Sequence, residues 1–142
     1  MDILIVRPNS QKRAYGVLSE YGYTAIEPPL WPAILAGFLR QAGYGVTILD
    51  AEAENFDTAE TLRAIAAAAP RLALFSACGH NPSASTMSMP AVIQCCERMT
   101  DEHPDIPVCL HGLHPSALPE QTLQETKAAF LCQGEGFFTV PP

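Results

Sequence analysis

The side chains best suited to chemistry in this sequence include one cysteine and two histidines that lie close together. Cys109, His111 and His114 form the pattern C-x-H-x-x-H, and thiolate and imidazole groups are the usual ligands of zinc in proteins. No fourth ligand is evident, and Cys109 lies in an apolar run typical of a core strand, so a metal site is an alternative interpretation. Cys78 could act as a nucleophile, but no Cys/His/Asp arrangement supports that role.

Three acidic residues alternate after the second apolar run of the chain: Asp50, Glu52 and Glu54. Neighbouring carboxylates can carry general acid–base chemistry. We interpret these three as solvated loop acids, with a carboxylate site as the alternative.

Small and hydroxyl-bearing residues are concentrated in residues 76–86 (SACGHNPSAST), and residues 111–117 (HGLHPSA) and 134–136 (GEG) add glycines. Such segments let backbone and side-chain donors approach a bulky ligand closely. A plain turn would have a similar composition. We favour a binding role for residues 76–86, because a loop of this length inside a compact domain is usually functional.

Apolar runs without polar alternation predict the elements that position these residues. Buried parallel strands are expected at residues 3–6, 46–49, 72–75, 108–110 and, more weakly, 129–132. Helices are expected at residues 30–42, from Asp57 to about 69, at 91–100 and at 119–127. Asp57 and Glu60 have the spacing of a capping box, and Leu62, Ile65, Ala66 and Ala69 form the apolar face of that helix.

Alternation of strands and helices predicts an α/β, doubly wound, flavodoxin-like or Rossmann-like domain. We expect five parallel strands in the order 2-1-3-4-5 with helices on both faces. The long connections, residues 7–28, 76–90 and 111–118, then all leave the carboxyl edge of the sheet, which is where such folds bind ligands.

Composition narrows the possible partners. The chain is 48% hydrophobic and 16% charged with a net charge of −7, and its Lys and Arg residues are scattered, so we expect one folded domain and no nucleic-acid partner. No apolar run approaches the roughly eighteen residues of a membrane helix and no secretory signal is evident, so we expect a cytoplasmic protein without membrane contact. The five cysteines are expected to be reduced.

Other ligands of this fold require motifs that the sequence lacks. Residues 7–12 (RPNSQK) contain no glycine, so neither the dinucleotide fingerprint nor a phosphate-binding Walker loop follows the first strand. A phospho-receiver domain would need an aspartate and a lysine where this chain has Ser76 and Gln133.

The loop sequences resemble the amino-terminal cobalamin-binding domains of cobalamin-dependent radical S-adenosylmethionine enzymes. The resemblance covers nearly the whole chain and is carried, in order, by residues 23–31 (YTAIEPPLW), 49–55 (LDAEAEN), 81–86 (NPSAST), 112–119 (GLHPSALP) and 134–136 (GEG). It implies a corrin ring across the carboxyl edge of the sheet, with the nucleotide tail threaded into the domain. The residues that it implies for cofactor binding are Ser76, Gly79, His80, Asn81, Ser83, Ser85, Thr86, Gly112, Leu113, His114, Pro115, Ser116, Gly134, Glu135 and Gly136.

Two departures from related proteins refine this expectation. The D-x-H-x-x-G signature that supplies a lower axial histidine to cobalt is absent, because residues 7–24 contain no histidine. We therefore expect base-off cobalamin without a histidine lower ligand, although His80 could approach the cobalt. No C-x-x-x-C-x-x-C motif is present. The iron–sulfur cluster, S-adenosylmethionine and any catalytic residues are thus expected in a radical core outside this sequence, downstream in cis or in trans, of methyltransferase type. The alternative is a small metal-binding or Cys/His-dependent protein of the same fold.

Overall fold

The fold is described by a computed structural model over residues 1–79 and 82–137, without the side chains of residues 82 and 83. The strands are β1 (Ile3–Arg7), β2 (Val46–Asp50), β3 (Leu72–Ala77), β4 (Val108–Gly112) and β5 (Phe130–Cys132). The helices are α1 (Gln11–Tyr15), a 3-10 helix (Gly16–Tyr21), α2 (Leu30–Gln41), α3 (Thr58–Ala68), α4 (Pro82–Glu102), α5 (Leu113–Ala117) and α6 (Pro119–Thr126).

The five strands form one parallel sheet in the order β2-β1-β3-β4-β5, which confirms the predicted topology. Ile3 is opposite Val46 of β2 and Leu72 of β3, and Ala77 is opposite Gly112 of β4. This register brings the ends of β1, β3 and β4 to one edge. The loops expected to bind a ligand therefore leave the sheet side by side.

Alternate residues of β1 face opposite layers of the core, as the pleat of a strand requires. Leu4 and Val6 pack with the apolar side chains of α3 and α4. Ile3 and Ile5 pack with Leu35 and other residues of α2. The sheet is therefore covered on both faces, and helix α6 packs against α4 and β5.

Helix α4 differs most from its predicted form, since it begins at Pro82 whereas the sequence pattern predicts a start near residue 91. The predicted start is wrong, although Pro90 inside a helix runs against the tendency of proline to interrupt helices. Ser85, Met89, Val92 and Met99 form a continuous buried stripe at helical spacing. Burial of this stripe against the sheet outweighs the cost of an internal proline, about 3 kcal/mol.

The other strand and helix boundaries differ less from prediction. Strands β3 and β4 extend to Ala77 and Gly112, so the predicted loops after them are shorter, and residues 113–117 form a short helix. Helix α3 has the predicted capping box: the Asp57 carboxylate accepts from the Glu60 amide at 2.7 Å, and the Glu60 carboxylate accepts from the Asp57 amide at 2.9 Å. Its buried face includes Leu62 and Ile65 as predicted, whereas Ala66 is only half-buried and Ala69 is exposed.

All five cysteines are free thiols. Across residues 1–79 and 82–137, none of the helices combines the length and the apolar character needed to cross a bilayer.

Candidate functional site

A cleft of about 380 Å³ opens at the carboxyl edge where β1 and β3 lie side by side. The chain leaves β1 toward β2 on one side and leaves β3 toward β4 on the other, which makes this the topological switch point where open parallel sheets bind ligands. We call it the central cleft. Its walls include Arg7 from β1, Glu52 after β2, and Ser76, Cys78 and Gly79 from the end of β3.

An ion pair forms one wall of the central cleft. Arg7 Nη2 donates to Glu52 Oε1 at 2.6 Å, and Arg7 Nη1 lies 3.3 Å from Asp50 Oδ2. The side chains of Arg7 and Glu52 are only 12% and 6% exposed. The interpretation of Asp50 and Glu52 as solvated acids is therefore wrong, because both balance the cation at the end of β1; Glu54 is exposed as predicted.

The same pair fixes the long first loop. Arg7 Nη1 also donates to the Glu27 carbonyl oxygen at 2.6 Å, and Glu52 Oε2 accepts from Ser10 Oγ at 2.9 Å. Both contacts join residues more than nineteen positions apart in sequence. We call these contacts the Arg7 clasp. The clasp holds both ends of residues 7–28 beside the cleft.

Ser76 contributes a buried hydroxyl to the wall of the central cleft. The residue is 1% exposed, and its hydroxyl has no hydrogen-bond partner among the described residues. A buried hydroxyl without a partner loses the free energy of its hydrogen bonds to water. Its place in the wall of the cleft makes it available to a ligand.

Cys78 and His111 lie together beside the cleft, with Cys78 Sγ 3.6 Å from His111 Nδ1. His111 Nε2 lies 3.0 Å from the carbonyl oxygen of Glu135, which can only accept, so Nε2 carries the proton and Nδ1 faces the thiol as an acceptor. Burial raises the pKa of the Cys78 thiol and lowers the pKa of His111. Both groups are therefore neutral near pH 7, and Cys78 is not an activated thiolate.

Ser85, Thr86 and His114, which were predicted to bind cofactor, are brought together by α4 and α5. Ser85 Oγ donates to the Ala77 carbonyl oxygen and accepts from the His114 amide at 2.9 Å. Thr86 Oγ1 lies 3.1 Å from His114 Nδ1. Ser85 is fully buried, whereas Thr86 is exposed and His114 half-buried. Thr86 and His114 thus present polar groups at the surface, and the buried Ser85 hydroxyl holds the His114 backbone against the end of β3.

A second predicted group surrounds the ends of β4 and β5. Ser116 Oγ donates to the Gly112 carbonyl oxygen at 2.7 Å and accepts from the Gly134 amide at 2.9 Å. Leu113, Gly134 and Glu135 are exposed, and Pro115 and Gly136 are buried. Ser116 therefore ties the tail loop to β4. Of the remaining predicted residues, Gly79 lines the central cleft, His80 and Asn81 lie outside the described residues, and so does the side chain of Ser83.

Sequence reasoning missed the first loop as a source of site residues. Arg7, Pro8, Ser10, Tyr15 and Glu27 line the central cleft, although none was predicted. Two signals pointed to them: the length of residues 7–28, and a single charged residue at the end of an otherwise apolar strand. A further cavity of about 120 Å³ adjoins the cleft, since Arg7, Cys78 and Gly79 line both, and Trp31 forms part of its wall.

The metal-site alternative is not supported by the geometry. Among the described residues, no group of three or more His, Cys, Asp or Glu side chains could hold a metal ion. Cys109 Sγ lies 3.5 Å from Cys132 Sγ, and this contact together with burial raises the pKa of Cys109. His111 and His114 face other partners, as described above.

Solved structures share the fold. TsrM from Kitasatospora setae, a radical S-adenosylmethionine methyltransferase solved with tryptophan substrate and a SAM analogue, aligns with 95% of this chain at a TM-score of 0.65 and 18% identity. The same enzyme with cobalamin and a 4Fe–4S cluster aligns with 90% of the chain at a TM-score of 0.57 and 18% identity. In both cases the chain spans only 23% of the enzyme's length.

A chemotaxis protein shares the architecture as well. The chemotaxis protein CheY4 from Vibrio cholerae aligns with 96% of this chain and 92% of its own at a TM-score of 0.53 and 12% identity. No curated protein sequence matches the chain at a significant level.

The central cleft holds one polar group of a kind that suits a corrinoid. A corrinoid is a bulky ring that carries amide groups, which need both donors and acceptors. The Ser76 hydroxyl can donate and accept, and it has no hydrogen-bond partner among the described residues. Residues 22–141 match the B12 binding domain family, so the chain belongs to the family of B12-binding domains.

Proposed function

We propose that this domain holds cobalamin over the carboxyl edge of its sheet and serves as the corrinoid-binding module of a radical S-adenosylmethionine enzyme of methyltransferase type. The observation that carries the proposal is the central cleft: it lies at the switch point of a B12-binding fold and contains a buried hydroxyl without a partner among the described residues. Bound cobalamin would supply a cobalt centre that accepts and releases a methyl group. The domain would bind and orient the corrinoid.

Each part of the edge has a distinct task in this proposal. Ser76 meets the amides of the corrinoid inside the cleft, and the Arg7 clasp holds the first loop in place as part of the cleft wall. Thr86, His114 and the exposed loop of Gly134 and Glu135 meet it at the rim. Ser85 and Ser116 hold the rim in place through their internal hydrogen bonds. The division follows burial, because only exposed or orphaned groups are free to exchange partners with a ligand.

The proposal also includes a radical S-adenosylmethionine core that acts together with this domain. This part of the proposal is supported by the likeness to TsrM and by exposed apolar side chains between residues 18 and 30: Leu18, Tyr21, Tyr23, Ile26 and Leu30 are all more than half exposed. Exposed large apolar side chains that form a contiguous patch are typical of an interaction site. A core in the same or another chain would provide the iron–sulfur cluster and S-adenosylmethionine.

The binding step is tested by titration of the domain with hydroxocobalamin, followed by visible absorption and co-elution. We expect a saturable spectral change at corrinoid concentrations up to about 1 mM. The affinity should be lower than that of a complete enzyme, because the core would cover the other face of the ring and bury more of it. Absence of both a spectral change and co-elution would refute cobalamin binding.

The role of Ser76 is tested by Ser76→Ala. Removing a buried hydroxyl without a partner should leave stability unchanged or raise it slightly, but cobalamin affinity should fall by about three- to tenfold through the loss of one hydrogen bond. Thr122→Val is a matched control, since Thr122 also buries a hydroxyl without a partner among the described residues but does not line the cleft. Equal affinities of the two variants and the wild type would remove Ser76 from the site.

The cobalt's lower face gives a separate prediction. We expect bound cobalamin to be base-off and without a histidine ligand, because residues 7–28 contain no histidine and both ring nitrogens of His111 face internal partners. Electron paramagnetic resonance of bound cob(II)alamin should therefore lack the triplet splitting that an axial nitrogen produces. Triplets that disappear in His80→Ala but persist in His114→Ala would instead identify His80 as the ligand.

A further inference from the structure

A second, larger cavity of about 530 Å³ lies beside α1, between the loops after β1 and β2, the start of α3 and the middle of α4. We call it the lateral cavity. Its walls include Gln11, Lys12, Arg13, Thr58 and Gln94, and it shares only Pro8 with the central cleft. None of these residues has a role in the corrinoid site proposed above.

The lateral cavity gathers the cations of the protein that have no partner among the described residues. Six of the eight Lys and Arg side chains engage an acceptor: Arg7, Arg63, Arg71, Arg98 and Lys127 pair with carboxylates, and Arg40 donates to a backbone carbonyl. The other two, Lys12 and Arg13, have no ion pair within residues 1–79 and 82–137, and both line this cavity. In a chain with a net charge of −7, adjacent unpaired cations at one cavity indicate an anionic ligand.

A buried donor supports the same interpretation. Gln11 Nε2 is buried and has no acceptor in the part of the chain that the structure describes. Its backbone is fixed, because the Gln11 amide donates to Asn9 Oδ1 at 3.1 Å and Asn9 Nδ2 donates to the Phe56 carbonyl oxygen at 3.3 Å. The cavity thus presents an orphaned amide donor beside two cations on a preformed support.

Two carboxylates, Glu20 and Asp57, also line the cavity. Neither forms an ion pair with Lys12 or Arg13 among the described residues, and Asp57 Oδ1 accepts from the Glu60 amide at the start of α3. Gln11, Lys12 and Arg13 therefore leave three donor side chains for a ligand. A phosphate ester is an oxyanion that accepts several hydrogen bonds at once.

We propose that the lateral cavity is a second binding site, for a phosphate group bound by Gln11, Lys12 and Arg13. The phosphate belongs either to the nucleotide loop of the corrinoid or to a separate small ligand, and only the first source rests on the function proposed above. A site for a separate ligand would place a second molecule in the lateral cavity, whose lining shares only Pro8 with that of the central cleft.

The experiment is a titration of ¹⁵N-labelled protein with inorganic phosphate at constant ionic strength. Nuclear magnetic resonance monitors the chemical shifts of the Gln11 side-chain amide. We expect saturable shifts, and about tenfold weaker phosphate binding in the Lys12→Gln/Arg13→Gln variant. The control variant Arg63→Gln/Lys127→Gln removes the same charge away from the cavity and should bind phosphate like the wild type. No saturable shift at Gln11, or equal losses in the two variants, would overturn the proposal.

Corrinoid titrations of the same variants identify the source of the phosphate. If Lys12→Gln/Arg13→Gln weakens binding of cobalamin but not of cobinamide, which lacks the nucleotide loop, the site takes the phosphate of the corrinoid. If both corrinoids bind as they do to the wild type while inorganic phosphate is lost, the site takes a separate ligand. Failure of every corrinoid to bind would refute the proposed function and leave the phosphate result to be judged alone.

Discussion

Replacement of Arg7 by methionine should lower the free energy of unfolding by about 3 kcal/mol. The reason is the environment of Glu52, whose side chain is 6% exposed and whose carboxylate would lose its cation. Methionine keeps most of the aliphatic length of Arg7, so the loss reports the charge more than the packing. Equilibrium denaturation in urea, followed by circular dichroism, measures the effect.

Two further variants separate the clasp from a general charge effect. Arg71→Met breaks the pair between Arg71 and Asp2, in which the Arg71 side chain is 82% exposed, and should cost less than about 1 kcal/mol. Arg7→Met/Glu52→Leu removes both charges and should recover most of the stability lost in Arg7→Met. If Arg7→Met lowers the free energy of unfolding no more than Arg71→Met does, the Arg7 clasp does not stabilise the fold.

The clasp also predicts a local effect on the first loop. Arg7 donates to the Glu27 carbonyl oxygen, and Glu52 accepts from Ser10. Arg7→Met should therefore raise the rate of amide hydrogen exchange in residues 7–28 beyond that of the rest of the chain, because these contacts hold the loop at both ends. Uniform acceleration across the whole protein would indicate only a global loss of stability.

Gly112→Ala should be destabilising by about 3 kcal/mol or more. Gly112 ends β4 with a φ of 149°, and a Cβ at this position would collide with the carbonyl oxygen of Ala77 on the neighbouring strand. That carbonyl accepts from Ser85 and the Gly112 carbonyl accepts from Ser116, so a shift of β4 would disturb both supports of the predicted cofactor rim. Thermal unfolding measures the loss, and cobalamin titration measures its consequence for binding.

Gly37→Ala is the matched control for this substitution. Gly37 lies in α2 with ordinary helical φ, and a methyl group there would have no neighbouring atom within 4 Å. Alanine is favoured over glycine in a helix by up to about 1 kcal/mol, so this variant should be slightly more stable than the wild type. If Gly112→Ala lowers stability while Gly37→Ala raises it, the loss at Gly112 is caused by its backbone conformation and crowding and not by the replacement of a glycine as such.

Local patterns were sufficient for the architecture. The apolar runs predicted all five strands, and the capping box of Asp57 and Glu60 predicted the start of α3. Strand order followed because parallel strands joined by helices have a strong preference for right-handed crossovers. The start of α4 was not predicted, since the preference of Pro90 for a helix end is local while the burial of Ser85, Met89 and Val92 depends on a sheet that must already be in place.

The site was predictable only in outline. The sequence by itself predicted the fold, the edge of the sheet at which the central cleft opens, and Ser76 and Gly79, which line that cleft, as candidate binding residues. Tertiary structure alone decided that Arg7 joins Glu52 and Glu27, and that Ser85 is an internal support rather than an exposed group. The physical reason is sequence distance: strand and helix patterns arise from neighbours a few residues apart, whereas the partners of a buried charge or hydroxyl come from segments 20 to 45 residues away that only the packed sheet brings together.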